Sequence, residues 1–358
     1  MRILHVITSL TTGGAEHLLV DLLPRLRDGG KNDVELLLFN GKKTPFYHEL
    51  EEKRITIHSL GIGGNVYNPV NVLRMVQYIG GYDIIHTHNT ACQLFVPMAK
   101  ALSFTRKRLV TTEHSANNRR RGKWWCKPID RWMYNRYAAI ICIADQTCDN
   151  LKKYIGDKPN ICTIYNGVDV NRFLKPIKDL SNQQEFVVTM VASLSAAKDQ
   201  DTVIRALTHL PENYRLQLVG GGDREAELKQ LCTDLSLQDR VTFMGVRTDV
   251  PDILNDTDVV VLSSHWEGLS LSSIEGMASG RPFVASNVDG LREVVQGAGV
   301  LFPHADDKAL ASTIQNLCEN PDEYRRVAQQ CQERARQYDI SIMAKKYLQL
   351  YEKLCNRL

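Results

Sequence analysis

Short apolar runs alternate with longer stretches of helical spacing along the whole chain. Strands are predicted over residues 3–10, 34–39, 83–86, 109–112, 138–144 and 161–165. The alternation starts again with 186–193, 216–219, 241–244, 259–262, 282–286 and 300–302. Between these runs lie amphipathic stretches such as residues 16–27, where Leu18, Leu19, Leu22, Leu23 and Leu26 share one side. Strands that are apolar throughout and separated by helices predict parallel sheets covered on both faces. The series occurs twice, so the expected fold class is α/β, with two doubly wound domains and a ligand site in the cleft between them. A polar, aperiodic stretch at 174–185 marks the change of domain. The last segment, residues 340–358, is amphipathic through Met343, Tyr347, Leu350, Tyr351 and Leu354. Its pattern alone reads as a terminal helix of the second domain.

Composition adds limits. The chain has 358 residues, 43% hydrophobic and 24% charged, the balance of a globular protein. No run of 18 apolar residues is present, so no spanning helix is predicted. The N-terminal residues lack a long apolar core and a cleavage site, and read as a first strand rather than a signal peptide. Nine scattered cysteines without a C-x-x-C pair suggest reduced thiols. The net charge of +3 is divided unevenly: residues 1–170 carry 23 Lys and Arg against 15 Asp and Glu, and the remainder 21 against 26. The first half therefore suits an anionic partner.

Candidate chemistry gathers at predicted strand ends. The stretch Glu267-Gly268-Leu269-Ser270-Leu271-Ser272-Ser273-Ile274-Glu275 follows an apolar strand and opens a helix. A helix start offers free N–H groups to phosphate. Glu267 falls in the turn, and Glu275 about two helical turns further on. Gly13 and Gly14 follow the first strand, where two glycines permit close backbone approach or simply a tight turn. Their spacing is not the dinucleotide fingerprint, which disfavours an NAD-dependent dehydrogenase. His86 and His88 end a strand. A metal site there lacks a third ligand, and satisfied polar groups at the strand end account for the pair. His114 ends the next strand, at the edge where ligands bind. Lys198 lies in a loop after the first strand of the second series, and Gly220-Gly221-Gly222 follows the next. Asp256-Thr257-Asp258 has the D-x-D form of metal-dependent sugar transferases, but it precedes a strand and reads as an approach turn. Residues 118–136 form the most basic stretch, with Arg119, Arg120, Arg121 and Lys123 beside Trp124 and Trp125. Anionic headgroups, a solvated helix and single-stranded nucleic acid all fit that stretch, though no nucleic-acid fold signature accompanies it.

Taken in order, these pieces resemble the retaining glycosyltransferases of family 4, which have the GT-B fold. The resemblance spans nearly the whole chain, and the segment from Glu267 to Glu275, continued to Ser286, is its most specific part. It implies a nucleotide-sugar-dependent transfer to a glycan or lipid-linked acceptor in surface polysaccharide or glycoconjugate synthesis. It implies an acceptor-binding domain over 1–170, a nucleotide-sugar-binding domain over 171–337, and a C-terminal helix, 338–358, that returns to the first domain. Glu267 corresponds to the glutamate that contacts the transferred sugar, and Glu275 to the one that holds the ribose. Lys198 corresponds to the lysine that neutralises the diphosphate, and His114 to the histidine that touches the sugar. Donor contacts are also implied for Gly13, Gly14, Ser193, Gly221, Gly222, Gly268, Leu269, Ser270, Leu271 and Ser272. The donor is expected to be UDP- or GDP-linked, with no metal and no permanent cofactor. The basic, tryptophan-rich stretch then reads as membrane- or acceptor-facing, placing the protein in the cytoplasm, peripherally on the inner face of the cell membrane, with no nucleic-acid partner. Two positions depart from the family pattern. Ala192-Ser193 stands where many members have Gly-Arg, and Ser270 stands where many have glycine. A sugar-nucleotide epimerase of the same fold is the alternative enzyme, and a nucleotide-sugar-binding module without turnover is a third reading.

Overall fold

The computed structural model describes residues 1–11, 13–114, 120–181 and 183–356. The chain divides into two compact units, Met1–Gly167 with Ile340–Leu358, and Val168–Asp339.

The first unit holds a seven-stranded parallel sheet. Its strands are β1 (Arg2–Ile7), β2 (Asp33–Leu38), β3 (Thr56–Ser59), β4 (Ile84–Thr87), β5 (Arg108–Glu113), β6 (Ala139–Cys142) and β7 (Ile161–Thr163), in the order β3-β2-β1-β4-β5-β6-β7. Central strands are apolar because both their faces are covered: Ile3, Leu4, Val6, Ile7, Ile84, Ile85, Ile140 and Ile141 are all fully buried. β3 is absent from the sequence expectation. It is an edge strand with exposed or half-buried residues, so its Thr-Ile-His-Ser composition carries no apolar run.

The second unit has a six-stranded parallel sheet. Here β8 (Phe186–Val191), β9 (Tyr214–Val219), β10 (Val241–Gly245), β11 (Val259–Leu262), β12 (Phe283–Ser286) and β13 (Val300–Phe302) lie in the order β10-β9-β8-β11-β12-β13. In both sheets the strand order reverses once, between β1 and β4 and between β8 and β11. Loops leaving the two strands at such a point diverge to opposite faces and open a crevice at the carboxyl edge.

The helix Ile340–Cys355 belongs to the first unit. It packs against the helix Gly14–Leu26 and buries Ile340, Met343, Ala344, Tyr347, Tyr351 and Leu354 at three- and four-residue spacing. This is the amphipathic stripe seen in the sequence, and its two tyrosines reach the sheet. The described residues of segment 174–185 form no regular element, but the segment is anchored: Lys178 Nζ lies 2.6 Å from Asp258 Oδ1.

Candidate functional site

In the second unit the site grows from the reversal between β8 and β11. These strands are paired, so the loops that leave their carboxyl ends are neighbours. The fully buried Ser263 ties the loops together, donating its hydroxyl to the Asp199 carbonyl at 2.6 Å. The backbone N–H of His265 donates to the Ala197 carbonyl at 2.9 Å. Lys198 thereby comes onto Glu267, 69 residues away, as an ion pair with both side chains mostly buried. Ser264 donates to the same carboxylate oxygen, Oε1, at 2.7 Å.

The helix Leu271–Ala278 starts four residues after Glu267, with Ser270 at its N-cap position in extended conformation. Its first N–H groups have no carbonyl inside the helix to bond. Ser270 Oγ lies 2.9 Å from Ser272 Oγ, and Ser273 Oγ donates to the Ser270 carbonyl at 2.7 Å, which stiffens the turn. Leu269 and Glu275 are buried. A residue the sequence did not flag supports the turn from below. Gly290 has φ of 84°, and a Cβ there would lie 2.4 Å from the carbonyl oxygens of Glu267 and Gly268. Only glycine fits so close to that backbone.

The triple glycine after β9 has a packing role. A Cβ on Gly220 would lie 2.0 Å from the Ala192 carbonyl oxygen, and one on Gly222 would lie 2.1 Å from that of Leu194. Gly221 instead faces Val246, at 3.2 Å from a built Cβ. These contacts, with the Leu194 N–H donating to the Gly221 carbonyl at 3.1 Å, seat the loop that carries the exposed Ser193. Asp258 of the D-x-D sequence is fully buried, accepts the Val187 N–H at 2.7 Å and pairs with Lys178, as its strand-approach position suggested.

In the first unit the carboxyl ends of β1, β4 and β5 put Gly13, Gly14, Asn89 and His114 at one sheet edge. Gly13 and Gly14 are exposed at the start of the helix Gly14–Leu26, whereas Thr12 lies outside the described residues. Asn89 donates to Thr8 Oγ1 at 3.1 Å and to Glu16 Oε1 at 3.4 Å, and burial raises the Glu16 carboxyl above its ordinary pKa.

Behind this edge runs a chain of histidines. Parallel pairing sets His5 directly beside His86, and the strand period of two puts His88 on the same side as His86. His114 Nε2 lies 2.9 Å from His88 Nδ1, and His88 Nε2 lies 2.9 Å from His5 Nδ1. His86 contacts Tyr351 Oη at 2.5 Å through Nδ1 and Thr112 Oγ1 at 2.7 Å through Nε2. Tyr347 Oη in turn lies 3.1 Å from Thr112 Oγ1. Burial holds the rings neutral: it lowers the His5 pKa to about 3 and that of His114 to about 4, and puts His86 and His88 well below the ordinary value.

His5 is the third histidine that a metal reading of His86 and His88 lacked, and nitrogens of the three lie within 4.8 Å of one another. Both ring nitrogens of His86 and of His88 are already hydrogen-bonded, so a metal would have to displace those bonds. A hydrogen-bonded chain is the reading the geometry supports.

The arginine run differs from its expectation. Arg119 lies outside the described residues. Arg120 turns inward to the buried Asp130, and Arg121 Nη2 lies 3.0 Å from Glu113 Oε2. Glu113 also accepts from Gln93 at 2.7 Å and from the Tyr134 hydroxyl at 2.6 Å. These two arginines neutralise buried acids, so they do not extend toward an external partner. Lys123, Trp124 and Trp125 are exposed.

Comparison with known proteins agrees with this architecture. A family described as glycosyl transferases group 1 matches residues 171–337, and one described as Glycosyltransferase Family 4 matches residues 12–172. The chain is 30% identical over 229 residues to the Escherichia coli UDP-Gal:alpha-D-GlcNAc-diphosphoundecaprenol alpha-1,3-galactosyltransferase, covering 58% of this chain and 59% of that protein. It is 27% identical over 236 residues to the N,N'-diacetylbacillosaminyl-diphospho-undecaprenol alpha-1,3-N-acetylgalactosaminyltransferase of Campylobacter jejuni, covering 61% of each. The matches thus span about three-fifths of the length of these relatives. Among solved structures, Anabaena HepE in complex with UDP superposes with a TM-score of 0.85 at 25% identity, covering 99% of this chain and 100% of that one. Its complex with UDP-glucose gives 0.84 at the same identity. With two family matches that together run from residue 12 to residue 337, and with two Rossmann-like sheets of GT-B type, this chain belongs to the family-4 glycosyltransferases.

Proposed function

We propose that the protein transfers a sugar, with retention of configuration, from a nucleotide-diphosphate sugar to a lipid-linked glycan acceptor in surface polysaccharide synthesis. The carrying observation is the Lys198–Glu267 pair, set at the strand reversal beside the free N-terminus of the helix Leu271–Ala278. A cation and unpaired N–H groups suit the two negative phosphates of such a donor. Relatives named for undecaprenol-linked acceptors, and a structural neighbour in complex with UDP, favour a UDP-linked donor over a GDP-linked one and a lipid-linked acceptor.

The roles follow from charge. The amides of Leu271 and Ser272 and the Lys198 ammonium meet the diphosphate and stabilise the oxygens that gain charge as it leaves. Binding of the diphosphate draws Lys198 from Glu267, whose carboxylate is then available to a sugar hydroxyl. Glu275 holds the ribose. In the first unit His114 touches the transferred sugar and Gly13 and Gly14 stand near the donor phosphate. Ser193, Gly221, Gly222, Gly268, Leu269 and Ser270 complete the donor-facing backbone. Neutral His114 can exchange hydrogen bonds with a hydroxyl without placing a second positive charge beside a cation-like sugar. The acceptor attacks from the side the leaving group departs, so no protein nucleophile is required, and no metal is assigned.

The test is a donor panel with purified protein and an undecaprenol-diphosphate-linked sugar. Transfer from a UDP-sugar to the acceptor, lost in Lys198→Ala with folding intact, is expected. Conversion of the donor to an epimer without acceptor would replace this reading by the epimerase. Full transfer by Lys198→Ala would remove the phosphate role.

A further inference from the structure

The helices Thr90–Leu102 and Cys126–Tyr134 pack against each other in the first unit and leave an apolar groove on their outer side. Its volume is about 510 Å³, and its lining is Leu94, Met98, Pro128, Ile129 and Trp132. Leu94, Met98 and Leu102 recur at a spacing of four, so they form one stripe along the first helix. Ile129 and Trp132, three apart, form the facing stripe. Exposed aromatic residues flank the two helices in the chain: Phe104, just past the first, is 94% accessible and Trp124, just before the second, is 87% accessible. Aromatic rings this exposed are an unusual outlay on a surface facing only water.

Charge around the groove is one-sided. Residues 90–136 contain eleven Lys and Arg and two acids, Glu113 and Asp130. Both acids are buried and neutralised from within, by Arg121 and Arg120. Lys123, Arg131 and Arg136 are exposed, and Lys100 and Lys127 are half-buried. Two cations sit on the aromatic faces themselves: Lys123 over Trp125 at 5.5 Å and Arg136 over Trp132 at 5.3 Å. Apolar stripes with tryptophan at the rim and cations beside them are the composition of an element lying in a headgroup layer. A second copy of this chain would bring the same cations face to face and is opposed by their repulsion.

We propose that this groove and its tryptophan rim dock on an anionic lipid bilayer, the aliphatic and aromatic side chains entering the headgroup–acyl boundary and the surrounding lysines and arginines meeting lipid phosphates. The surface extends the lipid-linked acceptor reading, yet it is tested without donor or acceptor, so failure of one leaves the other standing. It also moves the contact from the arginine run to the two helices beside it.

The experiment measures partition of the full chain into vesicles of phosphatidylcholine with and without about a third phosphatidylglycerol, by sedimentation and by tryptophan quenching with brominated lipid. Three of the four tryptophans, Trp124, Trp125 and Trp132, lie in or immediately before the helix Cys126–Tyr134, and the fourth, Trp266, lies in the other unit. Most of the fluorescence is therefore expected to be quenched on anionic vesicles. Lys127→Gln with Arg131→Gln should lower the partition coefficient roughly 25-fold, near fivefold per cation. Ile129→Ser with Trp132→Ser should lower it by roughly tenfold or more. Trp124→Ala is the safeguard, since so exposed a side chain can be removed without loss of folding, and it too should weaken binding. Equal binding to neutral vesicles, unquenched tryptophan, or unchanged partition of these variants would overturn the proposal. So would a concentration-dependent dimer, by analytical ultracentrifugation, that Trp124→Ala dissolves.

Discussion

His88 Nδ1 lies 2.9 Å from His114 Nε2, and the same ring uses its other nitrogen on His5. A neutral imidazole has one N–H, so His88 donates on one side only and accepts on the other. The tautomer of His114 is therefore tied to that of His5, across the three neighbouring strands β1, β4 and β5. Replacing His88 with Asn should leave the fold intact but release the ring of His114. On the proposed reading, in which His114 meets the sugar, a loosened ring is expected to lower kcat roughly a hundredfold with little change in donor KM. Steady-state kinetics, with histidine ring nitrogen shifts read by NMR, check it; an unchanged kcat would show that His114 does not depend on the chain.

The buried histidines also set a pH response. His5 has a folded pKa near 3, against about 6.5 when unfolded. The unfolded chain therefore binds protons that the folded one refuses, from about pH 6.5 down to the folded value. The stabilisation is complete above pH 6.5 and is lost as pH falls below it, at up to about 1.4 kcal/mol per pH unit for such a group. Thermal unfolding should show Tm falling between pH 7 and pH 5, with a shallower fall in His5→Asn. A flat profile would contradict neutral burial.

Lys198 and Glu267 are an ion pair, so substitutions at the two should not act independently. On the proposed reading, Lys198→Ala removes a stabiliser of the leaving diphosphate, at about 3–4 kcal/mol of barrier. Glu267→Gln leaves the lysine without its partner. The double variant should lose little more than the worse single one, because contacting residues couple. Strict additivity in kcat/KM would show that the two act apart.

Gly290 is expected to be intolerant. Alanine there must adopt φ of 84° and would press on the Glu267 and Gly268 carbonyls. The strain, about 1–3 kcal/mol, should appear as a lower Tm. Displacement of the Glu267 turn should raise donor KM. Calorimetry and kinetics on Gly290→Ala read both effects.

Arg121→Gln should act on stability rather than on partner binding. It leaves the buried Glu113 without its cation, a loss of about 3–5 kcal/mol. Chemical denaturation of this variant measures the loss. A wild-type midpoint would show Arg121 to be dispensable inside the protein.

The two series of buried strands are legible in the residue pattern, because a strand covered on both faces must be apolar along its length. The sequence also marked the turn from Glu267 into its helix and the C-terminal stripe through Tyr347 and Tyr351, since these are local patterns. β3 escaped because an edge strand needs no apolar run. His5 escaped because its chemistry depends on register with β4, and Gly290 because it acts on a turn more than twenty residues away. The arginine run misled for a related reason: charge is visible in sequence, but its direction is not, and the acids at Glu113 and Asp130 drew Arg120 and Arg121 inward. Only the tertiary structure, by fixing which strands are neighbours, brought Lys198 onto Glu267 and joined His5, His88 and His114 into one chain.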